Sequence, residues 1–296
     1  MNRRVVIDTD PGLDDAVAIL FALNSGRFDV LGITTVAGNI GLERTTRNAG
    51  GLLAQLSLSD IPVISGSSEA MLRTNIDALV IHGSDGLRGV TFPEPLTPPR
   101  TGAVAWLAET LVNAPSGSID ILALGPLTNI GRLINEYPEA AARIGRVICM
   151  GGTIHEPGNA GPGSEFNFAS DPEATAIVLH AAIKCVVIPL DVTRKVRASA
   201  AYVEALRVTQ AGTVAADLLL AYMQDGKQSR PLHDPCVMLL ALAPELFDIE
   251  MRRLAVDLSD GADAGALLER STGQPVSIAM RVDADGALDL LASGFR

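Results

Sequence analysis

Short apolar runs alternate along the chain with longer stretches whose apolar residues recur at a helical period. Val5-Val6-Ile7, three β-branched residues in a row, read as a buried strand, and Pro11-Gly12 reads as the sharp turn that ends it. Residues 16–23 are apolar almost all round, the mark of a buried helix. The pattern then repeats. Strands are predicted at 30–36, 62–65, 119–124, 146–150 and 185–190, the last taken as the final clear core strand. Helices are predicted at 40–57, 102–113 and 127–137, from Asp171-Pro172-Glu173 onward, and at 198–206, 213–224 and 234–242. Residues 67–100 and 153–170 read as long irregular loops, which in a compact domain are usually functional. The stretch after residue 253 is mixed, with candidate strands at 254–258 and 277–282.

This alternation predicts an α/β fold: a Rossmann-like, mostly parallel sheet with helices on both faces. In such sheets ligands bind outside the carboxyl ends of the strands. Asp10, Asn39 and Leu124 all fall at those ends. No repeat, low-complexity tract or linker divides the chain, so residues 1–296 are expected to form a single domain.

Composition narrows the partners. The chain is 48% hydrophobic but only 4% aromatic, so Ala, Val, Ile and Leu must fill the core. A net charge of −11 repels nucleic-acid polymers and anionic membranes. It does not oppose a nucleoside, which lacks the phosphate chain. The three cysteines are widely spaced with no CxxC pair, which suggests neither a disulfide framework nor a zinc site. The basic start at Met1-Asn2-Arg3-Arg4 is followed by an apolar run that ends at Asp8, too short for a signal core. No apolar stretch is long enough to span a bilayer, so a soluble, cytoplasmic protein is expected.

The candidate chemistry gathers at the first strand-to-helix corner, where Asp8, Asp10, Asp14 and Asp15 crowd together. Acidic residues in a first helical turn commonly complement the helix dipole, which accounts for Asp14 and Asp15. It does not account for Asp8 and Asp10 just before a Pro-Gly turn. Like charges this close oppose folding unless a cation offsets them, and oxygen ligands suit Ca²⁺ or Mg²⁺. Both readings stand on chemistry alone.

The segment Asp8-Thr9-Asp10-Pro11-Gly12-Leu13-Asp14-Asp15-Ala16 resembles the signature of the inosine-uridine preferring nucleoside hydrolases. Further matching blocks follow in order: Thr35-Val36-Ala37-Gly38-Asn39, His82-Gly83, Gly125-Pro126-Leu127-Thr128-Asn129, Gly151-Gly152, Gly158-Asn159-Ala160, Glu165-Phe166-Asn167, Asp171-Pro172-Glu173-Ala174 and His233-Asp234-Pro235. Each block is weak by itself; their order and spacing over residues 5–247 are specific.

The resemblance implies hydrolysis of the N-glycosidic bond of ribonucleosides, a step of nucleoside salvage, with a bound Ca²⁺. Asp10, Asp15 and Asp234 would hold the ion through carboxylates and Leu124 through its main-chain carbonyl. Asp10 would take a proton from the water that attacks the anomeric carbon, as the sugar becomes oxocarbenium-like. Asp14, Asn39, Asn159, Glu165 and Asn167 match residues that hydrogen-bond the ribose. His233 matches the position that protonates the leaving base in some members, a role suited to imidazole. His82 matches a second histidine of the same subgroup and would line the base pocket, although a satisfied loop histidine is as common. His180, in an apolar helix, reads as structural, and His155 as a loop bystander. The segment 222–232, with Tyr222 its one aromatic, stands where other members close over the base. A homodimer or homotetramer is implied.

Two rival functions fit parts of the pattern. A Mg²⁺-dependent phosphatase with an Asp-x-Asp nucleophile would use Asp8-Thr9-Asp10, but it needs a phosphate-holding cation. The only lysines are Lys184, Lys195 and Lys227, and Lys184 precedes a strand instead of following one. A non-catalytic nucleoside- or Ca²⁺-binding protein would not need both Asp10 and His233.

Overall fold

A ten-stranded sheet forms the centre of the protein, and its order follows from which strands are apolar on both faces. The structure is a computed structural model that describes residues 2–223 and 228–296. Residues 224–227, inside the expected lid segment 222–232, lie outside the described residues. In chain order the strands are β1 (Arg3–Thr9), β2 (Phe28–Thr35), β3 (Val63–Ser65), β4 (Arg100–Thr101), β5 (Asp120–Ala123), β6 (Val147–Met150), β7 (Cys185–Ile188), β8 (Arg197–Ser199), β9 (Ser229–Pro231), β10 (Phe247–Val256), β11 (Leu267–Glu269) and β12 (Gln274–Val282). The main sheet runs β11-β10-β12-β7-β6-β5-β1-β2-β3-β4, and β8 pairs with β9 in a separate ribbon. From β4 across to β12 every neighbouring pair is parallel; β10 and β11 are antiparallel additions at the far edge.

Strand β1 sits where the winding reverses. The chain leaves it outward through β2, β3 and β4, then returns to its other side at β5 and continues outward through β6 and β7. Such a reversal opens a crevice at the carboxyl ends of the central strands. Period-2 alternation fixes which side chains go to which face. Val5, Ile7, Leu122, Ile148 and Met150 pack into one apolar cluster with the helices Leu13–Asn24, Gln210–Tyr222 and Pro235–Leu242. Val6, Ile121, Ala123, Val147 and Cys149 pack into the other, against Ala103–Val112, Thr128–Glu136 and Pro172–His180. The helix Leu13–Asn24 is buried from Leu13 to Ala22, as its all-round apolarity requires, and Phe21 meets Phe295 edge-on at 6.2 Å.

The expected α/β architecture is present, with four differences. Strand 185–190 is not the last in the core: β12 lies beside β7 in parallel, Ser277 opposite Val186. The strand expected at 254–258 begins seven residues earlier, at Phe247, and runs to Val256. The helix expected from 198 starts at Ala200, because Arg197–Ser199 pairs with Ser229–Pro231 and Ser199 caps the helix Ala200–Ala205. The C-terminal helix Ala284–Ser293, capped by Asp283, was not foreshadowed by the apolar pattern. No described helix is long and apolar enough to cross a membrane.

Candidate active site

The chain leaves β1 at Thr9 and turns at Pro11-Gly12 into the helix Leu13–Asn24, which delivers Asp10, Asp14 and Asp15 to one corner. Asp10 is 1% exposed. Its Oδ2 accepts the Asn39 backbone N–H at 2.6 Å, and its carbonyl accepts the Asn39 side-chain amide at 3.1 Å. Glycine is required on both sides of this carboxylate. A Cβ at Gly38 would lie 2.1 Å from Oδ2, and one at Gly125 would lie 2.2 Å from Oδ1. Asp15 accepts from the Thr9 hydroxyl at 2.8 Å, the Gly12 N–H at 3.0 Å and the Asn39 amide at 3.1 Å. The Gly12 bond makes Asp15 a helix-capping residue as well.

The opposite wall comes from later strand ends. Leu124 follows β5, and its carbonyl accepts the Asn167 side-chain amide at 2.7 Å. The Glu165 carboxylate accepts backbone N–H groups of Gly152, Asn167 and Phe168. The Asn159 side chain caps the Phe166 N–H at 2.8 Å. Asp234 precedes the helix Pro235–Leu242, and the His233 N–H reaches Asp14 Oδ2 at 3.3 Å. These groups border one cavity of about 370 Å³, lined by Asp14, Asn39, His82, Leu124, Asn159, Glu165, Asn167, His233 and Asp234. Asp10 and Asp15 are not on its wall; Asn39, which bonds to both, is.

The two cavity histidines are held differently. Nδ1 of His82 accepts the Leu13 backbone N–H at 3.1 Å, and the ring stacks on Tyr222 with centroids 6.2 Å apart. Nδ1 of His233 meets the Thr193 hydroxyl at 2.8 Å. Burial, with further contributions from Arg194 and His82, pushes the His233 pKa down to about 3, so the ring is neutral in the structure as it stands. His155 and His180 are exposed and take no part.

The carboxylates are strained electrostatically. Burial and then Asp15 push the Asp14 pKa up to about 7. Asp10 and Asp234 are also raised well above the usual range, by burial and then by their acidic neighbours. Burial raises Glu165 to about 7. Among the described residues, no Arg or Lys pairs with Asp10, Asp14, Asp15 or Asp234. Oxygen atoms of Asp14, Asp15 and Asp234 all lie within 4.8 Å of one another, a spacing one metal ion would bridge. Asp10 stands outside that trio, against Asp15. A buried, oxygen-only cluster without a protein counter-charge fits a hard divalent cation.

Asp8 has a different environment. It is wholly buried in the sheet, with Oδ1 accepting from Thr34 at 2.5 Å and Asn129 at 2.8 Å, while Oδ2 has no partner among the described residues. It does not open to the cavity and cannot act as the nucleophile of an Asp-x-Asp phosphatase. Lys184 borders a separate cleft, far along the sheet from the acidic corner.

The inosine-uridine preferring nucleoside hydrolase model matches residues 5–289. The chain belongs to that family. It is 38% identical to the pyrimidine-specific ribonucleoside hydrolase RihA of Salmonella agona, over 99% of this chain and 98% of the relative. It is 37% identical to the non-specific ribonucleoside hydrolase RihC of Salmonella paratyphi A, over 99% and 98%. A solved plant nucleoside hydrolase, PpNRh1, superposes with a TM-score of 0.90 at 30% identity, covering 100% of this chain and 99% of that one. A purine-preferring ribonucleoside hydrolase from Gardnerella vaginalis gives 0.91 at 25%, covering 99% and 98%.

In this nucleoside hydrolase, Tyr222 and Arg230, from the expected lid segment, line the cavity wall, with the Arg230 guanidinium 4.8 Å above the Tyr222 ring. Arg194 and Arg197 also line it and had no signal in the sequence blocks. Asp191, on the turn Leu190–Thr193, accepts from the Thr153 hydroxyl and the Ile154 and His155 N–H groups, and so pins the loop that carries Asn159 and Glu165. Residues just beyond β7 could have been suspected, because every other strand end nearby feeds the site.

Proposed function

We propose that this nucleoside hydrolase is a Ca²⁺-dependent N-ribohydrolase that releases ribose and free base from ribonucleosides. The observation that carries this reading is the buried acidic cluster at the mouth-end of β1, with no protein counter-charge among the described residues. Asp15 and Asp234 would hold the cation, joined by Asp10 and the Leu124 carbonyl on the family pattern; Asp14 faces the same point. When bound, the ion supplies a Lewis acid that anchors the ribose diol and lowers the pKa of the attacking water.

The protein groups then divide the remaining work. Asp10 accepts the proton of the water whose oxygen bonds to C1′. The C1′–N bond breaks with its electron pair leaving on the base, and His233, after taking a proton from solvent, passes one to the base, so that the ring ends neutral as it began. Asp14, Asn39, Asn159, Glu165 and Asn167 align the sugar and favour its positive, flattened form. His82 borders the base. The same reading makes residues 1–296 one catalytic domain of a cytoplasmic homodimer or homotetramer.

A panel of purine and pyrimidine ribonucleosides, assayed for reducing sugar with and without chelator, tests the proposal. Ribose release that chelation stops and Ca²⁺ restores is the expected result. Release at full rate from metal-free protein, or none from any nucleoside, overturns it.

A further inference from the structure

We infer that Thr193 is a positioning residue that fixes the His233 ring so that Nε2 points at the departing base. The inference rests on the reading of His233 as proton donor, and deepens it by naming what orients the donor.

Thr193 is wholly buried, and its hydroxyl has one hydrogen-bond partner among the described residues, Nδ1 of His233 at 2.8 Å. Its own N–H is spent on the Pro189 carbonyl. The hydroxyl and Nδ1 satisfy each other, whichever of them carries the shared hydrogen. Nε2 has no partner among the described residues, and His233 lies on the cavity wall. The contact therefore spends Nδ1 and leaves Nε2, the nitrogen that passes the proton, facing the cavity.

The position of this hydroxyl is overdetermined. The turn Leu190–Thr193 is tied to the β6 end by the Leu190 N–H on the Gly152 carbonyl at 3.0 Å, and by the three bonds that Asp191 accepts. Just beyond it, the Leu232 N–H bonds to the Val196 carbonyl at 2.8 Å, and β8 pairs with β9 immediately before His233. The hydroxyl and the imidazole are thus carried by segments pinned to each other. That is the rigidity a donor needs if its hydrogen is to meet a reacting atom.

Steady-state kinetics on Ca²⁺-replete enzyme test the inference, with uridine and inosine as substrates whose bases need a proton and p-nitrophenyl riboside as one whose leaving group does not. The expected result for Thr193→Val is a kcat on the nucleosides about tenfold lower, the equivalent of one misaligned hydrogen bond. KM and p-nitrophenyl riboside turnover should change little, and Thr193→Ser should restore the nucleoside rate. Thr193→Val should add nothing to the loss already caused by His233→Ala. Equal losses on both substrate types, or an additive loss in the double variant, would mean that Thr193 is merely structural, and overturn the inference. Should His233→Ala leave nucleoside turnover intact, the donor reading itself fails, and the inference with it. If Thr193→Val does not fold, Thr193→Ala takes its place: a loss confined to the nucleosides and restored by Thr193→Ser supports the inference, and an equal loss on p-nitrophenyl riboside overturns it.

Discussion

The backbone N–H of Leu13 points at Nδ1 of His82 across 3.1 Å. A peptide N–H can only donate, so Nδ1 must accept and the ring proton sits on Nε2. Leu13 opens the helix that carries Asp14 and Asp15, so His82 also satisfies one of the N–H groups that every helix leaves open at its start. A second proton on the ring would break this bond in a buried place.

His82 is accordingly expected to stay neutral across the working pH range. Burial holds its pKa down at about 4, with Arg88 acting in the same direction and Asp15 against it. Histidine NMR on the folded enzyme should show the Nε2–H form from pH 8 down to about pH 5. A ring that titrates near the ordinary value of 6.5 would contradict the contact.

Replacing Asp10 by Asn keeps the shape and the acceptor for the Asn39 N–H but removes the proton acceptor. Ribose release should fall by at least about a hundredfold, the low end of what a general base contributes. The far-ultraviolet circular dichroism should match that of the parent. Near-full activity would remove Asp10 from the chemistry.

Gly38→Ala and Gly125→Ala each drive a methyl group into the Asp10 carboxylate from opposite sides, at 2.1 and 2.2 Å. Something must move, and the carboxylate lies between two backbone segments. Both variants should bind Ca²⁺ more weakly by calorimetry and turn over more slowly, although neither glycine bears a functional group. Unchanged affinity in both would show that Asp10 can shift without consequence for the ion.

Metal removal should invert the pH dependence of stability. In the folded metal-free protein the Asp14 pKa is about 7 against an ordinary 3.8, and Asp10 and Asp234 are raised too. Below pH 3.8 these groups are protonated in both states and contribute nothing. As pH rises the unfolded chain releases protons that the folded one retains, so stability declines from about pH 4 to beyond pH 7. The melting temperature in chelator should therefore drop over this window. Ca²⁺ should remove the slope and add about 2.7 kcal/mol at a hundred times its Kd. A chelated protein as stable at pH 8 as at pH 5 would argue against a shared acidic cluster.

The corner at Asp10 was legible because its residues are neighbours in sequence and its strand is apolar on both faces. The parallel order followed from alternation of strand and helix, and with it the rule that strand ends gather ligands. Strand β10 was not fully legible. Its early residues alternate, Phe247-Asp248-Ile249-Glu250-Met251-Arg252, but Ile249 and Met251 are exposed and Arg252 pairs with Glu250 and Glu269, so the alternation marks no buried face. The ribbon of β8 and β9 joins three-residue segments thirty positions apart, a pairing that no local pattern encodes. The same distance hid Thr193, which became a site residue only through its partner His233, forty positions on. Within the acidic corner, spacing did not distinguish which carboxylates would share a point. Asp14 joins Asp15 and Asp234 there, while Asp10 is drawn aside to Asn39.

The winding reversal at β1 has a temporal side. Asp234 is synthesised more than two hundred residues after Asp10, Asp14 and Asp15. A nascent chain therefore carries an incomplete, self-repelling half of the acidic cluster until Asp234 has been made. An ion that needs the oxygens of Asp14, Asp15 and Asp234 together can be taken up only after that, so metal binding falls late in folding.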